Sequence, residues 1–94
     1  MEIKHIERGG RGVFLIRIDG KRVAEMAYGN ITESGFNIDH TEVDESLRGQ
    51  KVGDQLLDAA VNYAREKGLK ISATCSFALN KLQGKPEYAD VFAG

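Results

Sequence analysis

Several things are scarce in this chain of 94 residues. There is one cysteine, Cys75, so no internal disulfide can form, and the usage fits a reducing compartment. There is one proline, Pro86, and it falls near the C-terminus. No apolar run is long enough to cross a bilayer, so no membrane partner is expected. The opening residues MEIKHIERGG alternate acidic and basic groups and lack the apolar core of an export signal, which predicts a cytoplasmic location. The formal net charge is −1, without the basic excess of a dedicated nucleic-acid binder. Two histidines and one cysteine form no recognisable metal site. No internal repeat, low-complexity tract or linker divides the chain, so residues 1–94 read as one domain with a modest core.

What is present has two periods. In the first half, GVFLIRID alternates Val13, Leu15 and Arg17 with Phe14, Ile16 and Ile18, and is rich in strand formers. Asp19-Gly20 is a two-residue hairpin signal, because the tight turn needs positive φ. RVAEMAY follows as the partner strand, EIKHIE precedes, and FNIDHTEV comes after GNITESG. These segments predict an antiparallel meander of four strands. In the second half, Val52, Leu56, Leu57, Ala60, Val61 and Ala64 make one apolar stripe at helical spacing. Gly68 is a natural stop. LKISATC predicts a fifth strand with Ile71, Ala73 and Cys75 on one face. SFALNKLQ predicts a short helix with Ser76 available as N-cap. PEYADVFAG is expected to form a short irregular or helical tail. A long helix between the fourth and fifth strands implies a crossover, so those two strands should run parallel.

The stretch LRGQKVG, residues 47–53, opens the long helix. The first N–H groups of a helix lack internal partners and sit at the positive end of its dipole, which suits an anion such as a phosphate. Gly49 and Gly53 admit close backbone approach, and Arg48 and Lys51 offer charge. The plain alternative is a turn with solvated cations.

The stretch LRGQKVGDQLLDAAVNYAREKGLKI resembles motif A of the GNAT superfamily of acyl-CoA-dependent N-acetyltransferases. That motif reads Gln/Arg-x-x-Gly-x-Gly/Ala and grips the pyrophosphate of CoA by backbone amides. Arg48 matches its first position and Gly53 its last. Lys51 stands where the central glycine is usual, and either adds a cation or blocks backbone approach. IDHTEV, ATCSFALNKL and PEYADVF are similar to a small branch of short, single-domain GNAT-like acetyl-CoA-binding proteins, so the resemblance runs from about Val23 to the C-terminus. It implies an α+β fold: a single-domain, minimal GNAT-like fold. Its mixed five-stranded sheet is an antiparallel meander followed by a parallel pair around the central helix, and a short C-terminal helix completes it. It implies acetyl-CoA as the cofactor, held by Arg48, Gly49, Gln50, Lys51, Val52 and Gly53. Larger members add helices that shape the acceptor site, so here the acceptor groove should be open or absent.

The resemblance also implies His40 and Cys75 as the reactive pair, on adjacent strands near a splay that admits the thioester. A cysteine thiolate is a capable nucleophile, and a neighbouring histidine can take its proton. Cys75 as a small buried hydrophobe and His40 as a hydrogen-bonded structural residue are the plain alternatives. Strict alternation puts Phe36, Ile38, His40 and Glu42 on one face and Val43 on the other. A bulge between His40 and Val43 would reconcile the pattern, and the family places the pantetheine at such a disruption, here Glu42 and Val43. Phe77 and Tyr88 either flank the nucleotide or pack the C-terminal segment, the latter favoured for Tyr88. Lys81 either meets phosphates or is solvated. No glutamate stands out as a substitute base, and Glu42 is the candidate.

The functional expectation is an acetyl-CoA-binding N-acetyltransferase with an unidentified acceptor amine. Transfer would be direct or by way of acylated Cys75. The alternative is a non-catalytic module that binds or senses acetyl-CoA. A monomer or weak homodimer is expected.

Overall fold

The computed structural model describes residues Met1–Gly94. Strands β1 (Lys4–Arg8), β2 (Arg11–Ile18), β3 (Lys21–Gly29), β4 (Gly35–Val43) and β5 (Lys70–Ala73) lie side by side in chain order. The first four pair antiparallel and β4 pairs parallel with β5. Helix α1 (Val52–Lys67) makes the crossover, and helix α2 (Ser76–Gly84) follows β5. The α+β class, the five-stranded mixed sheet and the two helices agree with the sequence.

Local chemistry explains most boundaries. Asp19 and Gly20 have φ of 52° and 76°, the doubly positive turn that joins paired Ile18 and Lys21. All six apolar residues of the α1 stripe are buried. Burial of each large side chain contributes ~1.5–3 kcal/mol, far more than helix propensity alone supplies. At the far end, Leu69 N–H donates to Ala64 C=O at 2.8 Å and Gly68 N–H to Arg65 C=O at 3.3 Å, which closes the last turn.

Phe14, Ile16, Met26, Tyr28, Phe36, Ile38 and Ile71 of the sheet join one core cluster with α1 and with Ala78 and Leu82 of α2. Both helices therefore cover the same sheet face. The tail adds Tyr88 and Val91 to that core, and Ile71 N–H donates to Val91 C=O at 2.7 Å. Tyr88 packs as favoured, with its hydroxyl donating to the Asp58 carboxylate.

Two expectations need correction. The irregularity in β4 lies one step earlier than the sequence suggested. Tyr28 pairs with Ile38 and Ala27 with His40, so Asp39 is the extra residue. The phase of the strand changes there. Thr41 and Val43 return to the face of Phe36 and Ile38, whereas His40 and Glu42 turn to the opposite, helix-free face. The N-cap of α2 is Cys75, not Ser76, and it makes no side-chain cap bond. The reason is that the Thr74 and Cys75 amides both turn back to Ile38 C=O, at 3.0 and 3.2 Å.

His5 lies exposed on edge strand β1, as a lone histidine in that segment suggests, and still has partners. Its ring stacks on Phe14 at 4.1 Å between centroids, and Nε2 lies 2.6 Å from the Tyr28 hydroxyl, which donates to Glu7 at 2.8 Å. Burial of the imidazole lowers its pKa from the usual 6.5, against an opposing pull from Glu7.

Two outcomes follow. A Cβ on Gly35 would sit 1.9 Å from the Lys70 carbonyl oxygen, so Gly35→Ala should cost at least ~2 kcal/mol in urea unfolding by parting β4 from β5. Just below pH 6.5 the unfolded chain takes up a proton that the folded His5 resists, so this residue makes stability fall as pH drops through that range. His5→Gln should therefore flatten the slope of unfolding free energy between about pH 7 and pH 5.

Candidate functional site

The end of β4, the loop after it, the first turn of α1 and the start of α2 converge on an open groove of about 300 Å³. That is at the lower end of the ~300–1,000 Å³ range of small-molecule sites. Thr41, Val43, Arg48, Lys51, Gly53 and Phe77 are among its lining residues.

The loop is built to leave backbone groups free. The Asp44 carboxylate accepts from Ser46 N–H at 2.9 Å, which starts a short 3-10 turn over Glu45–Leu47 and holds that carboxyl below the usual carboxylate range. Buried Leu47 anchors the turn. Gly49 then takes φ of 83°, and no neighbour crowds the place of a Cβ, so its backbone angle, not space, calls for glycine. Lys51 follows at φ 56° and ψ 37°, in the left-handed region. A non-glycine residue there costs ~1–2 kcal/mol. The lysine that departs from the family motif has thus kept a backbone conformation glycine adopts more readily.

No side chain caps α1. The first backbone bond into the helix runs from Gln55 N–H to Lys51 C=O at 3.1 Å, so the amides of Val52, Gly53 and Asp54 precede it without helical partners. Gln55 Nε2 also donates to the Gln50 carbonyl at 3.2 Å and braces the loop. Arg48 and Lys51 are exposed beside these amides and form no ion pair.

Gly53 has a different role from Gly49. A Cβ there would come 2.7 Å from the Phe77 ring. Phe77 therefore both packs α2 against α1 and walls the groove. Lys81 meets Asp54 Oδ1 in the first turn of α1 at 3.1 Å, with its ammonium 5.8 Å from the Phe77 ring centre. It ties the two helices together and is not a free cation.

The β4 edge forms the other wall. Parallel pairing with β5 ends at Ile38 and Ala73. Asp44 N–H donates to Val23 C=O on the β3 side at 2.8 Å. By alternation, the backbone groups of Thr41 and Val43 point away from β3, to the edge that β5 has left. Glu42 points its backbone toward β3 and its side chain toward the helix-free face. Of the two strand residues singled out in the sequence, Val43 faces the groove and Glu42 does not. Thr41 does and was missed, because only the bulge at Asp39 reveals the phase.

Cys75 is half-buried, and its Sγ lies 3.2 Å from Thr41 Oγ1. His40 is elsewhere. Its Nε2 lies 3.4 Å from Glu25 Oε2 and 3.4 Å from Glu42 Oε1 on the other face. The structure brings Cys75 to the strand splay beside Thr41 and does not join it to His40.

This is an α+β chain with a glycine loop and unpaired helix-start amides next to a splayed parallel strand pair. It belongs to the GCN5-related N-acetyltransferase family, whose profile matches residues 13–91. The NMR solution structure of a GCN5-like protein from Staphylococcus aureus is similar over 99% of this chain and 88% of that one, at 40% identity and a TM-score of 0.74. Protein NATD1 of Danio rerio is 28% identical over 87 residues, 92% of this chain and 77% of that protein. A GNAT family acetyltransferase from Elizabethkingia anophelis with acetyl-CoA bound shares the fold, with a TM-score of 0.62 at 18% identity over 80% of this chain and 52% of that one. No helix is long and apolar enough to cross a membrane.

Lys51→Gly should relieve the left-handed residue and raise unfolding free energy by up to ~1 kcal/mol, after the entropy of the added glycine is offset. Chemical denaturation of the two proteins side by side measures this.

Proposed function

We propose that the chain binds acetyl-CoA in this groove and acts as an N-acetyltransferase on an amine acceptor. The observation that carries the reading is the junction of unpaired amides at the mouth of α1 with the free edge of β4. An anion and an extended, amide-bearing arm need those two features side by side. The Val52, Gly53 and Asp54 amides, with Gly49 and the charges of Arg48 and Lys51, would hold the diphosphate. Gln50 shapes the loop through its carbonyl bond to Gln55. Thr41 and Val43 would pair with the pantetheine arm as a missing strand does. Phe77 supplies an apolar wall.

Acetyl-CoA brings an activated thioester. Cys75 at the splay is the nucleophile in the covalent route: its Sγ forms the new bond to the acetyl carbon, and CoA leaves as its thiol. Thr41 Oγ1 is placed to donate a hydrogen bond to the thiolate form. His40 serves the acceptor side, on the open face, where a base flanked by Glu25 and Glu42 can take the proton of an incoming amine. The second reading, a binding module without turnover, is favoured by one feature: no element of the chain covers that face to form an acceptor pocket.

Acetyl-CoA titrated into isotope-labelled protein should shift the amides of residues 49–54, Thr41 and Val43. Arg48→Glu should weaken binding about tenfold or more, matching the ~1.5–3 kcal/mol of a charge-assisted contact. Absence of shifts at millimolar ligand would overturn the reading. Mass spectrometry should find one acetyl group on Cys75, absent in Cys75→Ala. Binding without that adduct and without turnover on any amine supports the module.

A further inference from the structure

One side of the sheet carries no helix, and a shallow trough crosses it. Its floor is a single row of paired residues, Ile6, Val13, Ala27 and His40, one from each of β1 to β4. Val13 and Ala27 are short and half-buried, Ile6 is 40% exposed, and the row ends at the exposed imidazole of His40. One rim is a bridge. The Arg11 guanidinium crosses β3 to reach the Asp39 carboxylate in a two-pronged pair at 2.8 Å. It passes over Gly29, where a Cβ would come 2.6 Å from Arg11 Nη1. The other rim is the row Lys4, Leu15, Glu25 and Glu42. Between the floor and the Arg11 rim lies a cavity of about 240 Å³, whose lining includes Ile6, Val13, Ala27, Arg8 and Arg11.

The charges on this side do not cancel evenly. Arg11 and Asp39 neutralise each other. Arg22 meets Glu25 at 3.2 Å, and Arg17, opposite Arg22 in the strand register, stands a row beyond the trough. Glu42 and Arg8 are left unmatched at opposite ends. Glu42 has the His40 imidazole as its one charged contact, at 3.4 Å. Arg8 borders the cavity at the β1 end and forms no ion pair. Lys4, also without an ion pair, does not line the cavity. The trough is therefore apolar along its floor, negative where it reaches His40 and positive at the sheet edge. Three strand spacings of ~4.8 Å put Ile6 and His40 roughly 14 Å apart, and side chains reaching inward from both ends shorten the gap to roughly 10 Å.

We propose that the trough holds the acceptor: a linear aliphatic amine with a carboxylate at its far end, the ammonium beside His40 and the carboxylate on Arg8. This rests on the transferase reading above and deepens it. At neutral pH such an amine is an ammonium, drawn to Glu42 and Glu25, and His40 is the base beside it. Each methylene that leaves water for the Val13 and Ala27 floor adds affinity. The two ends set the specificity. An amino acid with both groups on one carbon cannot span them, and a diamine would bring a like charge to Arg8.

8-Aminooctanoate titrated into isotope-labelled protein without acetyl-CoA should shift the amides of Ile6, Val13, Ala27 and His40. Its Kd should lie at least about threefold below those of octylamine and octanoate, each of which lacks one charged end. Raising salt from ~20 mM to ~500 mM should remove most of that margin. Arg8→Glu should weaken 8-aminooctanoate and octanoate about fivefold or more without weakening octylamine. Glu42→Gln should weaken 8-aminooctanoate and octylamine without weakening octanoate. Ala27→Arg, which fills the floor, should block all three ligands. Circular dichroism of each variant checks that the fold persists. Equal affinity for the three ligands, or no shifts at ~50 mM 8-aminooctanoate, overturns the proposal. Shifts seen only with a short peptide amine overturn it equally, since the trough then serves a peptide. Because acetyl-CoA is absent from this titration, its failure is distinct from missing shifts at residues 49–54, which overturn the cofactor reading.

Discussion

One carbonyl organises the functional end of this protein. Ile38 C=O accepts from both Thr74 and Cys75 N–H, at 3.0 and 3.2 Å. That double acceptance stops parallel pairing, because β5 has spent two successive amides on one oxygen and cannot advance along β4. The chain then turns into α2, with Cys75 at its N-cap. At the same level β4 carries its extra residue, Asp39. The two irregularities together open a gap between neighbouring strands at the depth where Thr41 and Cys75 meet.

The groove inherits its other wall from the physics of helix starts. A helix must leave its first amides unpaired, and a side chain normally satisfies some of them. Here the residue ahead of α1 is Lys51, held in the left-handed region, and no side chain turns back to cap. The uncapped first turn and the left-handed Lys51 are costs to folding, and they fall at the anion site proposed above. The surrounding structure bears them: Leu47 anchors the loop, and Phe77 on Gly53 locks α2 against α1.

Much of the fold was legible in the residues. The Asp19-Gly20 turn, the α1 stripe and the Gly68 stop each act over a few neighbours, so their outcome follows from local sequence. The glycine loop was legible for the same reason. Around the groove, the strand phase differs from the sequence reading. His40 and Cys75 do lie near the same splay, but on opposite sides of the sheet, because one extra residue in β4 reverses every side chain after it. Lys81 looked like a cation for phosphates, and its engagement by Asp54 depends on how two helices pack. His5 offered no pattern at all. Its partners Phe14, Tyr28 and Tyr63 come from three other elements.

The sequence by itself determined the elements, their order, the parallel crossover and the glycine loop, since each rests on periodicity or on the backbone preference of a single residue. Tertiary structure alone decided which face His40 and Glu42 occupy, that Thr41 rather than Glu42 borders the groove, and that no helix covers one side of the sheet. Those outcomes depend on register between strands distant in the chain, and register is a property of pairs of segments that neither segment encodes alone.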